Sequence, residues 1–292
     1  MKKTTHNYFS LLSNIKFIGL TILILSVLYC ILDIVIPNNS AIAYTHKLNG
    51  CKCVIFRLDD IRNGYLEAPQ LALMNFFILK NESISLGIIM DQIHDGNNIY
   101  QKINEGYKKN LFELGIHGWD NVDYTKLTEN EQRLSLLKAN EKMYTLFGKY
   151  SKIFIPPFNL FNNDTVSAMR IYPLRILSSA IYYDHPDVEA SFIDTDSNRI
   201  IHMPEMTDFS IYYNESWVKV PIKFILSDID YDIRTYGYSI VMVHPHNFAI
   251  QVNGSLTDNV DYDQIRSLDS VVSAIKRKNI EIMTLSEAAG IQ

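Results

Sequence analysis

The chain has 292 residues, 47% of them apolar, and a net charge of −5, which fits one large domain or two small ones. The acidic balance, with no basic stripe, argues against a nucleic-acid partner. Three cysteines are too few for a disulfide framework.

Phe17 to Ile36 is an apolar run whose one charge, Asp33, lies near its far end, and it is long enough to span a bilayer. Lys2, Lys3 and Lys16 precede it, and the next basic residue is Lys47. The positive-inside rule then leaves the N-terminus in the cytoplasm and the remainder outside. Ala41-Ile42-Ala43 resembles a cleavage site, so a removed signal peptide is the competing reading, but the apolar run is longer than a usual signal core. The expected organisation is a cytoplasmic tail (1–16), a transmembrane anchor (17–36), a linker (37–50) and a main domain (51–292). This describes a single-pass cell-membrane protein with its main domain extracytoplasmic. Five Asn-x-Ser/Thr sequons, at Asn38, Asn81, Asn163, Asn214 and Asn253, fit an exported chain. Cys51 and Cys53 are one residue apart on an expected strand, where they would face opposite ways and a disulfide between them would be strained. They are read as free or packed.

A first strand, Lys52 to Leu58, runs straight into Asp59-Asp60. Ala68 to Lys80 is expected to be a helix and Ile84 to Met90 a second strand. A helix over Asn98 to Leu114 leads to a short strand at Gly115-Ile116 that stops at His117. The helix over Thr128 to Phe147 is the best marked, with Thr128 and Glu131 as a capping box and Gly148 as a C-cap. Lys152 to Ile155 is a strand before Pro156-Pro157, Asp164 to Ile171 a helix, and Leu174 to Ser178 a strand. Ala180 to Pro221 is irregular and rich in Tyr, Asp and Asn. A helix over Ile222 to Tyr236, a strand over Tyr238 to Val243, a helix over Tyr262 to Lys278 and a strand over Ile280 to Leu285 finish the chain. Strands alternating with helices predict a parallel α/β sheet or barrel.

Polar residues gather where strands end. Asp59 and Asp60 end one strand, His117 another, Pro156, Pro157 and Asn159 follow a third, and His244-Pro245-His246 ends a fourth. In barrels the active site is assembled at that rim. Adjacent carboxylates at the end of a buried strand are costly unless a cation neutralises them. A divalent ion held by carboxylate and imidazole lowers the pKa of a bound water, a second carboxylate takes that water's proton, and a histidine opposite gives one to the leaving amine. The expected chemistry is metal-assisted hydrolysis. The plainer alternative is an acidic turn with loop histidines.

Phe56-Arg57-Leu58-Asp59-Asp60 resembles the first motif of the polysaccharide deacetylases, the NodB-homology group of carbohydrate esterases. His117-Gly118-Trp119-Asp120-Asn121 resembles the second, Phe154 to Asn159 the third, and Val241-Met242-Val243-His244-Pro245 the last. The resemblance implies a distorted, incomplete (β/α) barrel that hydrolyses an N-acetyl C–N bond on a surface sugar. It implies Asp59 as base, His244 as acid, and Asp60 and His117 as metal ligands. The metal would be zinc, with cobalt or nickel as alternatives. Arg57, Trp119, Pro157, Phe158, Asn159 and His246 would line the substrate groove. The sequence departs from the pattern twice. Asn121 stands where the second metal histidine belongs, leaving Asn121, Asp120 or Asp123 for the third ligand. Ile155 stands where the arginine that orients the base belongs, with Arg57 as the available substitute. The acidic fourth motif has no clear counterpart, and Asp184 and Asp187 are the residues nearest to it in character. These departures admit two other readings: an inactive glycan-binding module, or an amidase for a small non-sugar amide.

Overall fold

A computed structural model describes residues 51–170, 173–180, 200–213 and 216–291. The expected tail, anchor and linker, together with Asp184 and Asp187, lie outside the described residues. Among the described residues no helix is long and apolar enough to cross a membrane.

The central strand is β1, Cys53–Ile61, every residue of which is buried except Asp60. A run that opens on four apolar residues and is buried on both faces suits a strand inside a parallel sheet. Helix α1 (Glu67–Lys80) leads to β2 (Ile84–Ile88), and α2 (Asn98–Lys108) to β3 (Phe112–Ile116). The expected helix through Leu114 therefore stops six residues early. Asn110, at φ +57°, breaks the helical path, and Phe112 and Leu114 join the sheet instead. Helix α3 (Glu129–Phe147) has the expected capping box at Thr128 and Glu131, and Gly148 takes the left-handed C-cap. There follow β4 (Ile153–Phe154), α4 (Asn163–Met169), β5 (Ile176–Leu177), β6 (Ile201–His202) and β7 (Thr207–Asp208). An antiparallel hairpin, β8 (Ser210–Tyr213) and β9 (Ser216–Lys219), precedes α5 (Ile222–Tyr236) and β10 (Tyr238–Val243). A second hairpin absent from the sequence reading, β11 (Ala249–Val252) and β12 (Ser255–Val260), comes before α6 (Tyr262–Arg277), β13 (Glu281–Met283) and α7 (Leu285–Ala289).

The main sheet is wholly parallel, in the order β6-β5-β4-β3-β2-β1-β10-β7. On one side β1 pairs with β10, and on the other with β13 near its start and β2 near its end. The segment from Ile201 to Asp208 serves both ends of the sheet. Its first half pairs with β5, through Met203 N to Leu177 O and Glu205 N to Ser179 O. Its second half pairs with β10, through Met206 N to Ile240 O. The sheet thus curls into the distorted (β/α) barrel that the resemblance implied. One apolar cluster, including Phe56, Leu86 and Val241, packs the sheet against its helices, and a smaller one, including Ile55, Ile155 and Ile240, fills its inside.

The cysteines correct the sequence reading, because Cys51 and Cys53 form a disulfide. The argument from opposite faces required an extended chain between them. Lys52 is instead left-handed, at φ +44°, and β1 begins only at Cys53, so the two Cα atoms lie 5.1 Å apart.

Candidate active site

A cleft of about 590 Å³ opens at the carboxyl ends of the strands. Asp59, Asp60, His117, Asn121, Phe158, Asn159, His244 and His246 all line it. Adjacent residues of a regular strand point to opposite faces, so two neighbouring carboxylates in one cleft need an explanation. The β1–β2 register shifts between Leu58 and Ile61, and Asp60 has φ +61°. This irregularity turns both carboxylates toward the same space.

Asp59 is 1% exposed. Its Oδ2 accepts from Arg57 Nη2 at 2.8 Å, and its Oδ1 has no hydrogen-bond partner among the described residues. A Cβ on Gly87 would come within 3.0 Å of that oxygen, so the glycine in β2 is what makes room for the carboxylate. Arg57 is wholly buried and does not line the cleft. It lies beneath, where Nη1 donates to Ser178 O, Ser178 Oγ and Ser179 O, and Nη2 donates also to Asn159 Oδ1 at 2.7 Å. The guanidinium fork therefore fixes Asp59 and Asn159 together. Ile155, in the place expected for arginine, is buried. The orienting cation has moved from the loop after β4 into β1.

Asp60 faces His117, with Oδ1 at 3.6 Å from Nε2. Burial alone would raise the Asp60 carboxyl, but the His117 hydrogen bond and the charges of His117, His244 and Arg62 hold it below the usual carboxylate range. For His117, burial pulls the pKa down, while the hydrogen bond to Asp60 and the charges of Asp59 and Asp60 raise it overall. His117 Nδ1 lies 2.9 Å from Ile155 O. A carbonyl can only accept, so Nδ1 carries a proton and Nε2 is the nitrogen turned to Asp60, donating to it when the imidazole is charged. A second nitrogen held by the backbone is what orients a histidine that ligates metal through the other.

Asn121 is the third donor on this side of the cleft. Asp123 does not line it, because Oδ1 accepts from Thr125 N and Oγ1, and Oδ2 pairs with Lys126. Asp120 lies outside the cleft lining as well. Among the described residues no three His, Cys, Asp or Glu side chains stand together as a metal cluster. Of the expected ligands, Asp60, His117 and Asn121 line the cleft together. An amide oxygen is a weaker zinc ligand than imidazole but is acceptable to harder ions.

Two expected groove residues sit elsewhere. Trp119 packs against the core under Lys138, whose Nζ is 4.0 Å from the ring centroid. Pro157 is buried in the turn after β4, where Phe158 and Asn159 both have positive φ. That turn leaves the Phe158 ring 56% exposed at the cleft.

The opposite wall was not visible in sequence. It comprises Glu205, Asp208, Ser210, Ile211, Tyr212 and Trp217, with His244 and His246 beside them. The side-chain carboxyls of Glu205 and Asp208 have no hydrogen-bond or ion-pair partner among the described residues. Burial pushes the Glu205 carboxyl up, and Asp208 adds to this. Burial raises Asp208 too, with Arg57 opposing and Asp59 adding. Burial lowers the His244 imidazole against the pull of Asp59 and Asp60. It brings His246 down to about 3, with His244 contributing.

A curled parallel sheet with a His–Asp pair and a held carboxylate at its rim gathers the residue types that metal-assisted hydrolysis uses. The polysaccharide deacetylase family model matches residues 73–177, which hold the second and third motifs. No curated protein is detectably similar in sequence. Solved structures are similar in fold. A family 4 acetyl xylan esterase from Clostridium thermocellum, in complex with a cobalt ion, aligns at 14% identity and TM-score 0.54, over 82% of this chain and 93% of that one. A CE4 family pseudoenzyme from Bacillus anthracis aligns at 13% identity and TM-score 0.52, over 82% and 66%. The Bc1960 peptidoglycan N-acetylglucosamine deacetylase aligns at 15% identity and TM-score 0.52, over 84% and 91%. Residues 73–177 thus match the polysaccharide deacetylase family model, and the chain shares the fold of these CE4 structures.

Proposed function

We propose that the protein is a metal-dependent hydrolase that removes the acetyl group from an N-acetylated sugar of a surface polysaccharide. The observation that carries this reading is the backbone-held His117, whose Nδ1 lies 2.9 Å from Ile155 O and whose Nε2 faces Asp60 Oδ1 at 3.6 Å. Asp60, His117 and Asn121 would hold the ion, which when bound polarises the acetyl carbonyl and acidifies a water. Asp59, steadied by Arg57 through one oxygen, keeps the other oxygen to take a proton from that water. His244, across the cleft, supplies the proton that the departing amine needs. The cobalt ion named with the acetyl xylan esterase supports a divalent metal in this fold. We place the domain outside the cell, tethered through residues 17–36, and membrane fractionation of the full chain tests that location.

A second reading rests on Asn121. With an amide where imidazole is expected, the site would hold metal weakly and serve as a glycan-binding module. One fold neighbour is described as a pseudoenzyme, and a mutant of it as having restored enzymatic activity. A third, an amidase for small non-sugar amides, uses the same site, because fold does not fix substrate.

The deciding experiment measures metal content and acetate release for the protein and for its Asn121→His variant. Near-stoichiometric metal and acetate release from N-acetylated oligosaccharides in the unaltered protein support the hydrolase. Metal and acetate release only after the substitution favour the binding module. Turnover of small amides alone favours the amidase.

A further inference from the structure

The loop after β1 carries a cation that the metal-and-acid reading of the cleft leaves without a chemical role. Arg62 and Tyr65 line the same cleft as Asp60 and His117. The Arg62 guanidinium lies 4.3 Å from the centroid of the Tyr65 ring. The loop that holds this pair is fixed by Gln70 of α1, which is wholly buried. The Gln70 amide oxygen accepts from Arg62 N at 3.0 Å, and its amide nitrogen donates to Arg62 O at 2.8 Å and to Tyr65 O. Gly64 N donates to Glu67 Oε1 at 2.8 Å within the same turn. A buried amide bonded only to the backbone of one loop fixes that loop.

The guanidinium so placed is unpaired. Asp60 and Asp91 feel its charge. Yet Arg62 forms no ion pair, and its side chain no hydrogen bond, among the described residues. The chain carries a net charge of −5, so a cation held open in the cleft is not part of a general basic surface. A long side chain stacked on a ring has lost its freedom without gaining an ion pair, and an anion from solution completes it.

We propose that Arg62, seated on Tyr65, binds a carboxylate carried by the glycan, so that the substrate is an acidic polysaccharide. This rests on the carbohydrate reading of the cleft but does not require turnover. The planar fork of a guanidinium matches a carboxylate through two parallel hydrogen bonds. A single negative charge also suits the place, because Asp59 and Asp60 line the same cleft and would oppose the second charge of a phosphate. Tyr65 and Gln70 are positioning residues that act through Arg62.

Calorimetric binding to the full chain tests this with two acidic sugars and their methyl esters, with and without a chelator. A disaccharide of glucuronic acid and N-acetylglucosamine carries its carboxylate on the neighbouring unit, and N-acetylmuramic acid carries it on the acetylated unit. Acid and ester differ in one charge. At least one acid is expected to bind about tenfold or more tightly than its ester in both conditions, with the preference shrinking as salt rises. Which acid does so tells which unit bears the carboxylate. Arg62→Gln is expected to bring acid and ester to the same affinity, and Arg62→Lys, which keeps the charge without the fork, to keep part of the preference. Tyr65→Phe, which keeps the ring, is expected to preserve it, whereas Tyr65→Ala is expected to reduce it. Equal affinity for both acids and their esters would overturn the proposal, as would a preference that survives Arg62→Gln. A preference lost on chelation would overturn it too, because the carboxylate would then belong to a bound metal. An Arg62-dependent preference without acetate release supports the proposal and counts against the hydrolase reading. Acetate release at equal kcat/KM from acid and ester, indifferent to Arg62→Gln, does the reverse. Binding of no sugar at all would overturn both the proposal and the carbohydrate reading.

Discussion

One wall of the cleft is made of strand ends. Asp60 lies in the irregular end of β1, His117 follows β3, and Asn121 sits four residues further on. The facing wall is made of a strand that serves two sheet edges and of a hairpin, with Glu205, Asp208 and Trp217 as its chemistry. On the first wall Asp59, Asp60 and His117 each have a named partner: Arg57 for Asp59, His117 for Asp60, a backbone carbonyl for His117. On the second wall the two carboxyls have none among the described residues, and burial raises their pKa. A site can thus be rigid and charged on one side and open and titratable on the other. The rigid side suits fixed catalytic geometry, and the open side suits a ligand that brings its own polar groups.

The sharpest way to break this contrast is Arg57→Met. It removes the cation under the first wall and leaves Asp59 buried without a partner, so we expect a loss of about 3–5 kcal/mol in urea unfolding. A loss below about 1 kcal/mol would mean that Arg57 does not hold that wall together. Gly87→Ala tests the same wall from β2. The added methyl meets Asp59 Oδ1 at 3.0 Å and the Asp59 Cα at 3.3 Å, so a cost of about 1–3 kcal/mol and impaired turnover are expected. Unchanged stability and turnover would show that Asp59 can shift freely.

Asn121→His sharpens the comparison by completing the first wall. Zinc affinity, measured by competition with a chelator, should rise at least tenfold, about 1.4 kcal/mol. No change would mean that position 121 does not reach the ion. Glu205→Gln probes the second wall and has the smallest expected effect. The Glu205 pKa is raised in the fold, so its contribution to stability is complete below the ordinary carboxylate pKa, about 4.3. That contribution is lost as pH rises from there through the neutral range, because the buried carboxyl must then ionise. Tm should therefore fall with pH over this interval. Glu205→Gln should flatten the fall by a few degrees, roughly what 1 kcal/mol is worth in a chain of this size. An unaltered slope would assign the titration to other groups.

The same division separates what was legible from what was not. Thr128, Glu131 and Gly148 are local signals within one helix, and the helix formed between them. The helix over Ile222–Tyr236 and the strand over Tyr238–Val243 appeared with the expected bounds. The helix expected through Leu114 was mistaken because apolar residues past Asn110 fit a buried strand as well as a helix face. The stretch from Ala180 to Pro221 carries no period, and its strands β6 and β7 are two residues each. Strands that short exist only because β5 and β10 lie on either side to pair with them.

By itself the sequence determined the alternation of strands and helices, the caps of the long helix, and the types of residue delivered to the strand ends. These depend on contacts within a few residues, and chain order records them. Only the tertiary structure decided that Asp59 and Asp60 face one cleft, that Arg57 lies under Asp59, that Trp119 is packing, and that Cys51 pairs with Cys53. Each of these follows from backbone geometry at a single residue or from partners distant in the chain. Asp60 and Lys52 have positive φ, and Arg57 meets Ser178 and Asn159 across more than a hundred positions. No pattern of residue types along the chain encodes such a meeting, because folding brings those groups together by packing the sheet as a whole.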